Sequence, residues 1–163
     1  MRSTENGFES TRSLSLKKKG LKLTVLRISS LYGWGLNSKK LIAKIIRKAK
    51  KGKSIFIFNL NQTIVNLIHA KDVSEGIYTI VNRLKYGIYN LGSNKCTNLL
   101  HLTETIVKLL KSKSKIVLRE DKKFKKVLNP LNVNIMKAKK NLKWVPKLSL
   151  KDGIKLTVKE KCY

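Results

Sequence analysis

Apolar residues recur along the chain with two alternating periods, one typical of strands and the other of helices. Short apolar runs rich in branched residues predict buried strands at 22–28, 54–58, 64–69, 86–91 and 116–118. Apolar residues at helical spacing, with lysines between them, predict helices at 39–51, 72–83, 98–111, 134–142 and 150–160. Because strands and helices alternate, the sequence predicts an α/β fold with mostly parallel strand pairs.

Three local features of this pattern predict particular contacts. Glu75 follows Asp72 at the spacing of a capping box, so Asp72 is expected to cap the helix that runs to about residue 83. On that helix the apolar side chains of Ile77, Ile80 and Val81 are expected to face inward. Trp144, in the connection between the last two helices, is expected to be an apolar plug between them.

The charge is the strongest compositional feature. Lysine and arginine number 37 against 9 acidic residues, which gives a net charge of +28. Such a field attracts polyanions, so one alternative is a repurposed basic module that binds nucleic acid or an anionic glycan. Against it, the basic residues are mostly lysine, are spread along the whole chain, and fit compositional drift in an AT-rich genome. Aromatic residues make up only 7% of the chain and lie mostly on apolar strands, which argues against a surface on which bases stack.

The remaining composition excludes several classes of protein. No apolar stretch approaches the roughly 20 residues of a membrane span, and residues 1–15 lack the apolar core of a signal peptide, so a cytoplasmic location is expected. Cys96 and Cys162 are far apart in sequence, and neither belongs to a C-x-x-C unit. We therefore expect reduced cysteines and no metal site.

Four short motifs occur in a fixed order. They are LRISSLYG at 26–33, IHAKDV at 68–73, YNLGS at 89–93, and a split motif with KA at 137–138, LKWVPK at 142–147 and SLKDG at 149–153. Their order and spacing resemble those of the NAD-dependent epimerase/dehydratase family, the nucleotide-sugar branch of the extended short-chain dehydrogenases. The resemblance covers residues 20–160.

The resemblance implies the carboxyl-terminal half of such an enzyme, which modifies nucleotide sugars for polysaccharide synthesis. The fold expected is α/β: the last strands of a Rossmann-like sheet followed by a small α/β substrate-binding domain. Residues 1–163 would form one domain, with 1–36 the remnant of the Rossmann domain and 37–163 mainly the substrate domain. The family's cofactor is NAD or NADP, and its substrate is a nucleotide sugar.

Site residues follow from the resemblance position by position. The cofactor would contact Ile28, Ser29 and Ser30, and the substrate would contact Ser30, Tyr32 and Phe58. At two of the family's substrate positions this chain differs. The family's substrate asparagine falls on Ser30, and its uridine-contacting arginine falls on Val65.

The family's catalytic Tyr-x-x-x-Lys pair falls on Met1 and Glu5, and no glycine-rich dinucleotide turn is present. We therefore expect no catalysis and no cofactor binding by this chain alone. A truncated gene product is one explanation, and an amino-terminal half supplied by a partner chain is another.

Overall fold

A computed structural model describes residues 20–33, 35, 39–59, 64–120 and 132–159. The predicted positions Met1, Glu5 and Cys162 lie outside these residues. Within them the strands are β1 Thr24–Ile28, β2 Ser30–Tyr32, β3 Ile55–Phe58, β4 Ile64–Val65, β5 Leu67–His69, β6 Gly87–Leu91, β7 Thr97–Asn98 and β8 Ile116–Arg119. The helices are α1 Leu41–Lys50, α2 Ala70–Asn82, α3 Leu99–Leu109, α4 Met136–Leu142 and α5 Leu150–Lys159.

The strands pair mainly in parallel. β1 pairs with β6, β2 with β5, and β3 with β8 in parallel register, whereas β4 and β7 are antiparallel. A helix lies in the chain between the two strands of each parallel pair, as a crossover connection requires. The predicted α/β fold with mostly parallel pairing is confirmed.

Two apolar clusters form the core. The first joins α1, α3 and α5 to β3, and its most buried members are Ile46, Ile57, Leu102, Ile106 and Ile154. The second joins α2 and α4 to β5 and β6, around Ile68, Val73, Leu91, Leu142 and Trp144. The chain crosses between the clusters at β2 and β5, since Tyr32 belongs to the first cluster and Ile68 to the second.

The start of α2 differs from the prediction. The helix begins at Ala70, and its N-cap is His69, whose Nδ1 accepts a hydrogen bond from the backbone N–H of Lys71. The predicted cap at Asp72 is therefore wrong. Asp72 lies inside the first turn, where its carboxylate near the positive end of the helix dipole is favourable, and it is 2% exposed.

The inward face of α2 is narrower than predicted. Val73, Gly76 and Ile80 are buried, so the expectation for Ile80 is confirmed. Ile77 and Val81 are 40% and 62% exposed, and the expectation for them is wrong. The side chains of Ile77 and Val81 lie beside the buried face of α2. At Gly76 the absence of a side chain lets this face approach Leu91 and Trp144 closely.

The predicted strand over 64–69 is divided. Asn66 separates β4 from β5, and β4 pairs with β7 while β5 pairs with β2. The apolar run predicted a single strand on the assumption that the strand continues through Asn66. In the structure the side chain of Asn66 forms hydrogen bonds of its own, and the strand is interrupted there. None of the helices in the described ranges has the length and apolar character needed to cross a membrane.

Candidate functional site

Ser29 and Ser30 directly follow the carboxyl end of β1, and Ser30 begins β2. The backbone N–H of Ser29 donates to the carbonyl of Leu91, and that of Ser30 donates to the carbonyl of Asn66, each at 3.0 Å. The hydroxyl oxygen of Ser29 is buried, and it is the one buried side-chain N or O atom without a hydrogen-bond partner in the part of the chain that is described. A buried hydroxyl without a partner is costly in a folded protein, so this atom is a candidate ligand contact.

Asn66 holds this edge together. Its Nδ2 donates to the carbonyl of Ser93 at 2.8 Å, and its Oδ1 accepts from the N–H of Ser93 at 2.9 Å. Together with the Ser30 hydrogen bond, this joins the segment after β1 to the loop after β6. Sequence reasoning missed Asn66, although a single amide in the apolar run IVNLIH was the available signal.

A cavity of about 130 Å³, here called the Ser30 cavity, opens beside this edge. Its walls are mostly apolar and come from β2, β4, β5, α1 and α3; the lining residues are Ser30, Leu31, Lys40, Leu41, Ile42, Val65, Leu67 and Leu102. Ser30 and Lys40 are its polar members. The cavity thus brings together Ser30 and Val65, the two positions at which the resemblance predicted altered substrate contacts.

The amino-terminal end of α1 forms one side of the Ser30 cavity. Lys40 is the N-cap of this helix and has an extended backbone, and its side chain makes no capping hydrogen bond. No acidic residue lies in the first turn. Unpaired backbone N–H groups, the positive end of the helix dipole and the Lys40 cation all favour an anion here.

A second cavity, of about 140 Å³, lies where the two core clusters meet and is here called the His69 cavity. Tyr32, His69 and Asp72 line it on one side and residues of the segment 146–150 on the other. Tyr32 is 3% exposed and contacts the His69 ring edge-on, with 5.1 Å between ring centroids. Burial, with Asp72 and Asp152 nearby, raises the pKa of the Tyr32 phenol, so this group stays protonated at neutral pH.

His69 connects three elements. Its Nδ1 accepts from the Lys71 N–H at 3.1 Å, which leaves the ring proton of the neutral form on Nε2. Nε2 lies 3.5 Å from the hydroxyl of Thr157 on α5, and that hydroxyl donates to the carbonyl of Gly153. A side chain at Gly33 would collide with the ring, since its Cβ would lie 2.8 Å from Nε2. These contacts are a sufficient structural reason for a histidine at position 69.

Asp72 fixes the segment that precedes α5. Its Oδ1 accepts from the N–H of Lys147 at 3.0 Å, and its Oδ2 accepts from the N–H of Leu148 at 3.3 Å. Its carbonyl accepts from Nε1 of Trp144 at 2.9 Å. Trp144 is buried as predicted, but it packs with α2, β6 and α4 and not between the last two helices. The second and fourth motifs are therefore two halves of one hydrogen-bonded unit.

The predicted substrate residues do not share one cavity. Ser30 lines the Ser30 cavity, Tyr32 lines the His69 cavity, and Phe58 belongs to the lining of neither. Phe58 ends β3 and is 43% exposed, and Ile28 is 41% exposed at the end of β1. No group of three or more potential metal ligands occurs among the residues for which side chains are described.

Comparison with known proteins shows the family of this chain. The sequence model of the NAD dependent epimerase/dehydratase family matches residues 9–92, just over half of the chain. The chain belongs to this family. The family predicted from the four motifs is thus confirmed, and NAD is the cofactor that the family's description names.

Family members of several kinds resemble this chain. A UDP-glucuronate 4-epimerase of Thermodesulfobacterium geofontis is 30% identical over 141 residues, which are 85% of this chain and 43% of that protein. The UDP-glucose 4-epimerase of Thermotoga maritima, solved with UDP-glucose, superposes with a TM-score of 0.81 at 23% identity over 94% of this chain and 50% of that chain. The Thermus thermophilus UDP-glucose 4-epimerase complex with NAD gives a TM-score of 0.80 at 19% identity, with coverages of 94% and 50%. The chain therefore has the fold of half of a Rossmann-type epimerase, and it spans about half the length of these relatives.

Proposed function

We propose that this chain is the nucleotide-sugar-binding half of an epimerase or dehydratase and is catalytically inactive by itself. The observation that carries the proposal is the Ser30 cavity. Through Ser30 it lies just beyond the carboxyl end of β1, and it also contacts the first residues of the parallel pair β2–β5. Ligands of open α/β sheets bind outside the carboxyl ends of strands, and the β1 side of the cavity has this position. Its mixed lining, apolar walls with a cation and a hydroxyl, suits a ligand with an uncharged ring and a charged group.

The diphosphate of the ligand would lie at the start of α1. Lys40 and the first backbone N–H groups of the helix supply positive charge there, and Ser30 supplies a hydroxyl. The walls formed by Leu31, Val65 and Leu102 would contact the apolar faces of the base or sugar. Since Val65 cannot make the bidentate contact of an arginine, we expect weaker affinity than a complete site would give.

The residues of this chain do not fit NAD by themselves. The unpaired hydroxyl of Ser29 suits one contact to a cofactor at the edge of the sheet, with Ile28 and Ser30 beside it. However, the sequence contains no glycine-rich turn to hold a pyrophosphate and has Met1 and Glu5 where the resemblance places Tyr and Lys. No proton or hydride transfer is therefore assigned to this chain.

A separate dinucleotide-binding half would complete the site. β1 has β6 as its strand partner within the described ranges, and the register of that pair fixes only one edge of β1. The opposite edge would pair with a parallel strand of the cofactor half. In that arrangement Ser29 would face the cofactor and the Ser30 cavity would hold the nucleotide sugar.

The test is a titration of the chain with UDP-glucose, followed by NMR. The expected result is weak binding that Lys40→Ala reduces about tenfold, because a hydrogen bond to a charged group contributes roughly 1.5–3 kcal/mol. Lys139→Ala, a matched change of an exposed lysine on α4, should leave the affinity unchanged. Equal losses in both variants would mean that only net charge attracts the ligand, and no binding by the unmodified chain would refute the proposal.

A further inference from the structure

The outward face of the β3–β8 pair carries exposed aromatic rings. Ile55 and Ile57 of β3 point into the first core cluster, whereas Phe56 and Phe58 are 38% and 43% exposed. The register places Phe56 beside Val117 and Phe58 beside Arg119. Side chains of directly paired residues lie on the same face, so two phenyl rings and a guanidinium share one surface.

Two cations lie over the ring of Phe56. The guanidinium carbon of Arg119 is 4.4 Å from the ring centroid, and Nζ of Lys48 is 5.6 Å from it. Both distances are within the range of a cation–π contact. The ring is thus held in place at a positively charged surface, and the side chain remains 38% exposed.

A basic rim lies at the end of the β3–β8 pair where both strands begin. The hydroxyl of Ser112 donates to the carbonyl of Ala49 at 2.5 Å, and that of Ser114 donates to the carbonyl of Lys48 at 3.3 Å, so the carboxyl ends of α1 and α3 are tied together. The N–H of Ile55 donates to the carbonyl of Lys115, which ties β3 to the same region. The exposed basic residues brought together are Arg47, Lys48, Lys50, Lys51, Lys53, Lys108, Lys111, Lys113 and Lys115. With Phe56, Phe58 and Arg119 they form what is called here the basic–aromatic face.

The rings distinguish this face from an ordinary lysine-rich surface. Cations at the carboxyl ends of α1 and α3 complement the helix dipoles, which is a sufficient structural reason for many of the lysines. The helix dipoles do not explain why Phe56 and Phe58 lie exposed on the outer face of β3. From the sequence, aromatic residues on apolar strands argued against base stacking. In the structure, Phe56 and Phe58 lie on such a strand but on its outer face. The acidic residues nearest in sequence are Glu120 and Asp121, which follow Arg119 directly, and Glu104, in the middle of α3.

We propose that the basic–aromatic face binds single-stranded nucleic acid. Unpaired bases would stack on Phe56 and Phe58, and the lysines of the rim would contact the phosphates. A duplex offers its phosphates but not the faces of its bases, so the rings favour the single strand. This activity goes beyond the nucleotide-sugar function. Only Phe58 is a predicted substrate residue, and the experiment therefore uses Phe56.

Fluorescence anisotropy with a labelled 12-nucleotide single strand and the corresponding duplex tests the proposal on the full chain. The unmodified protein should prefer the single strand. Phe56→Leu keeps an apolar side chain but removes the stacking surface, and it should weaken single-strand binding about tenfold, because stacking contributes roughly 1–3 kcal/mol per base. Phe56→Tyr should retain the affinity within about twofold. Far-ultraviolet circular dichroism checks that both variants are folded.

A matched pair of charge variants separates the face from general charge. Lys111→Ala with Lys113→Ala removes two rim lysines and should lower the dependence of affinity on salt, by about 0.7 in logarithmic slope for each lost phosphate contact. Lys139→Ala with Lys140→Ala removes two lysines from α4 and should change binding much less. Equal effects of the two pairs, equal affinity for single strand and duplex, or no effect of Phe56→Leu would each overturn the proposal. Tighter binding to phosphatidylserine vesicles, lost in Phe56→Leu, would also overturn it and assign the face to a membrane surface.

Discussion

Replacing Asp72 with asparagine should destabilise the fold more than any other single carboxylate change in the described ranges. The carboxylate accepts two backbone hydrogen bonds, from Lys147 and Leu148, and is 2% exposed. Asparagine has the same shape but only one acceptor oxygen. Its amide nitrogen would face one of the two backbone N–H groups, and this part-buried donor would lose its partner.

The magnitude follows from these contacts. A hydrogen bond to a charged group contributes about 1.5–3 kcal/mol, and leaving a buried donor unsatisfied costs about 1–3 kcal/mol. We therefore expect Asp72→Asn to lower the free energy of unfolding by about 2–4 kcal/mol. For a chain of this length, this corresponds to a fall in Tm of roughly 5–10 °C.

Thermal and urea unfolding followed by circular dichroism measure the change. Glu75→Gln is the matched control, because Glu75 pairs with the side chain of the same Lys147 at 2.9 Å on the surface. An exposed ion pair contributes little, so this variant should unfold like the unmodified chain. If Asp72→Asn were as stable as Glu75→Gln, the two hydrogen bonds would not anchor the segment before α5, and the reasoning would be refuted.

Three further changes should be measurable in the same way. Lys143→Gly should raise stability by about 1 kcal/mol, because Lys143 has a left-handed backbone with φ 55° at the end of α4; a lower Tm would contradict this. Gly153→Ala should destabilise the chain by about 1–3 kcal/mol, since its Cβ would lie 2.9 Å from Cζ of Tyr32, and less so when combined with Tyr32→Phe. Burial raises the pKa of Tyr32, so its phenol contributes stability that is fully present below the ordinary pKa near 10 and is lost as the pH rises further. In an ultraviolet titration this phenol should ionise only as the fold is lost. Tyr32→Phe should remove that phase of the titration.

The hydrophobic pattern was sufficient to predict the five helices and most of the strands, which lie within a few residues of their predicted positions. It did not predict β2 and β7, because segments of three and two residues are too short to show a period. The pattern failed where one polar residue forms its own long-range hydrogen bonds. Asn66 divides a predicted strand because it bonds to Ser93, 27 residues away, and spacing along the chain contains no sign of that contact.

The same limit applies to Asp72. Its spacing to Glu75 is that of a capping box, yet the carboxylate bonds to a segment 75 residues later in the sequence. The predicted strand over 22–28 agrees with the end of β1 at Ile28, so the position of Ser29 and Ser30 directly after it could be predicted from the sequence. The resemblance to the family did not indicate Lys40, whose place in the Ser30 cavity depends on how α1 packs against β2 and β4. The outward orientation of Phe56 also required the structure.

The central claim is that this chain holds the substrate side of an epimerase or dehydratase and not the cofactor side. Calorimetric titration of the unmodified chain with NAD tests this claim most directly. We predict no saturable heat at millimolar cofactor, because the sequence contains no glycine-rich turn and has Glu5 where the resemblance places the ribose-binding lysine. Micromolar affinity for NAD in the unmodified chain would contradict the account.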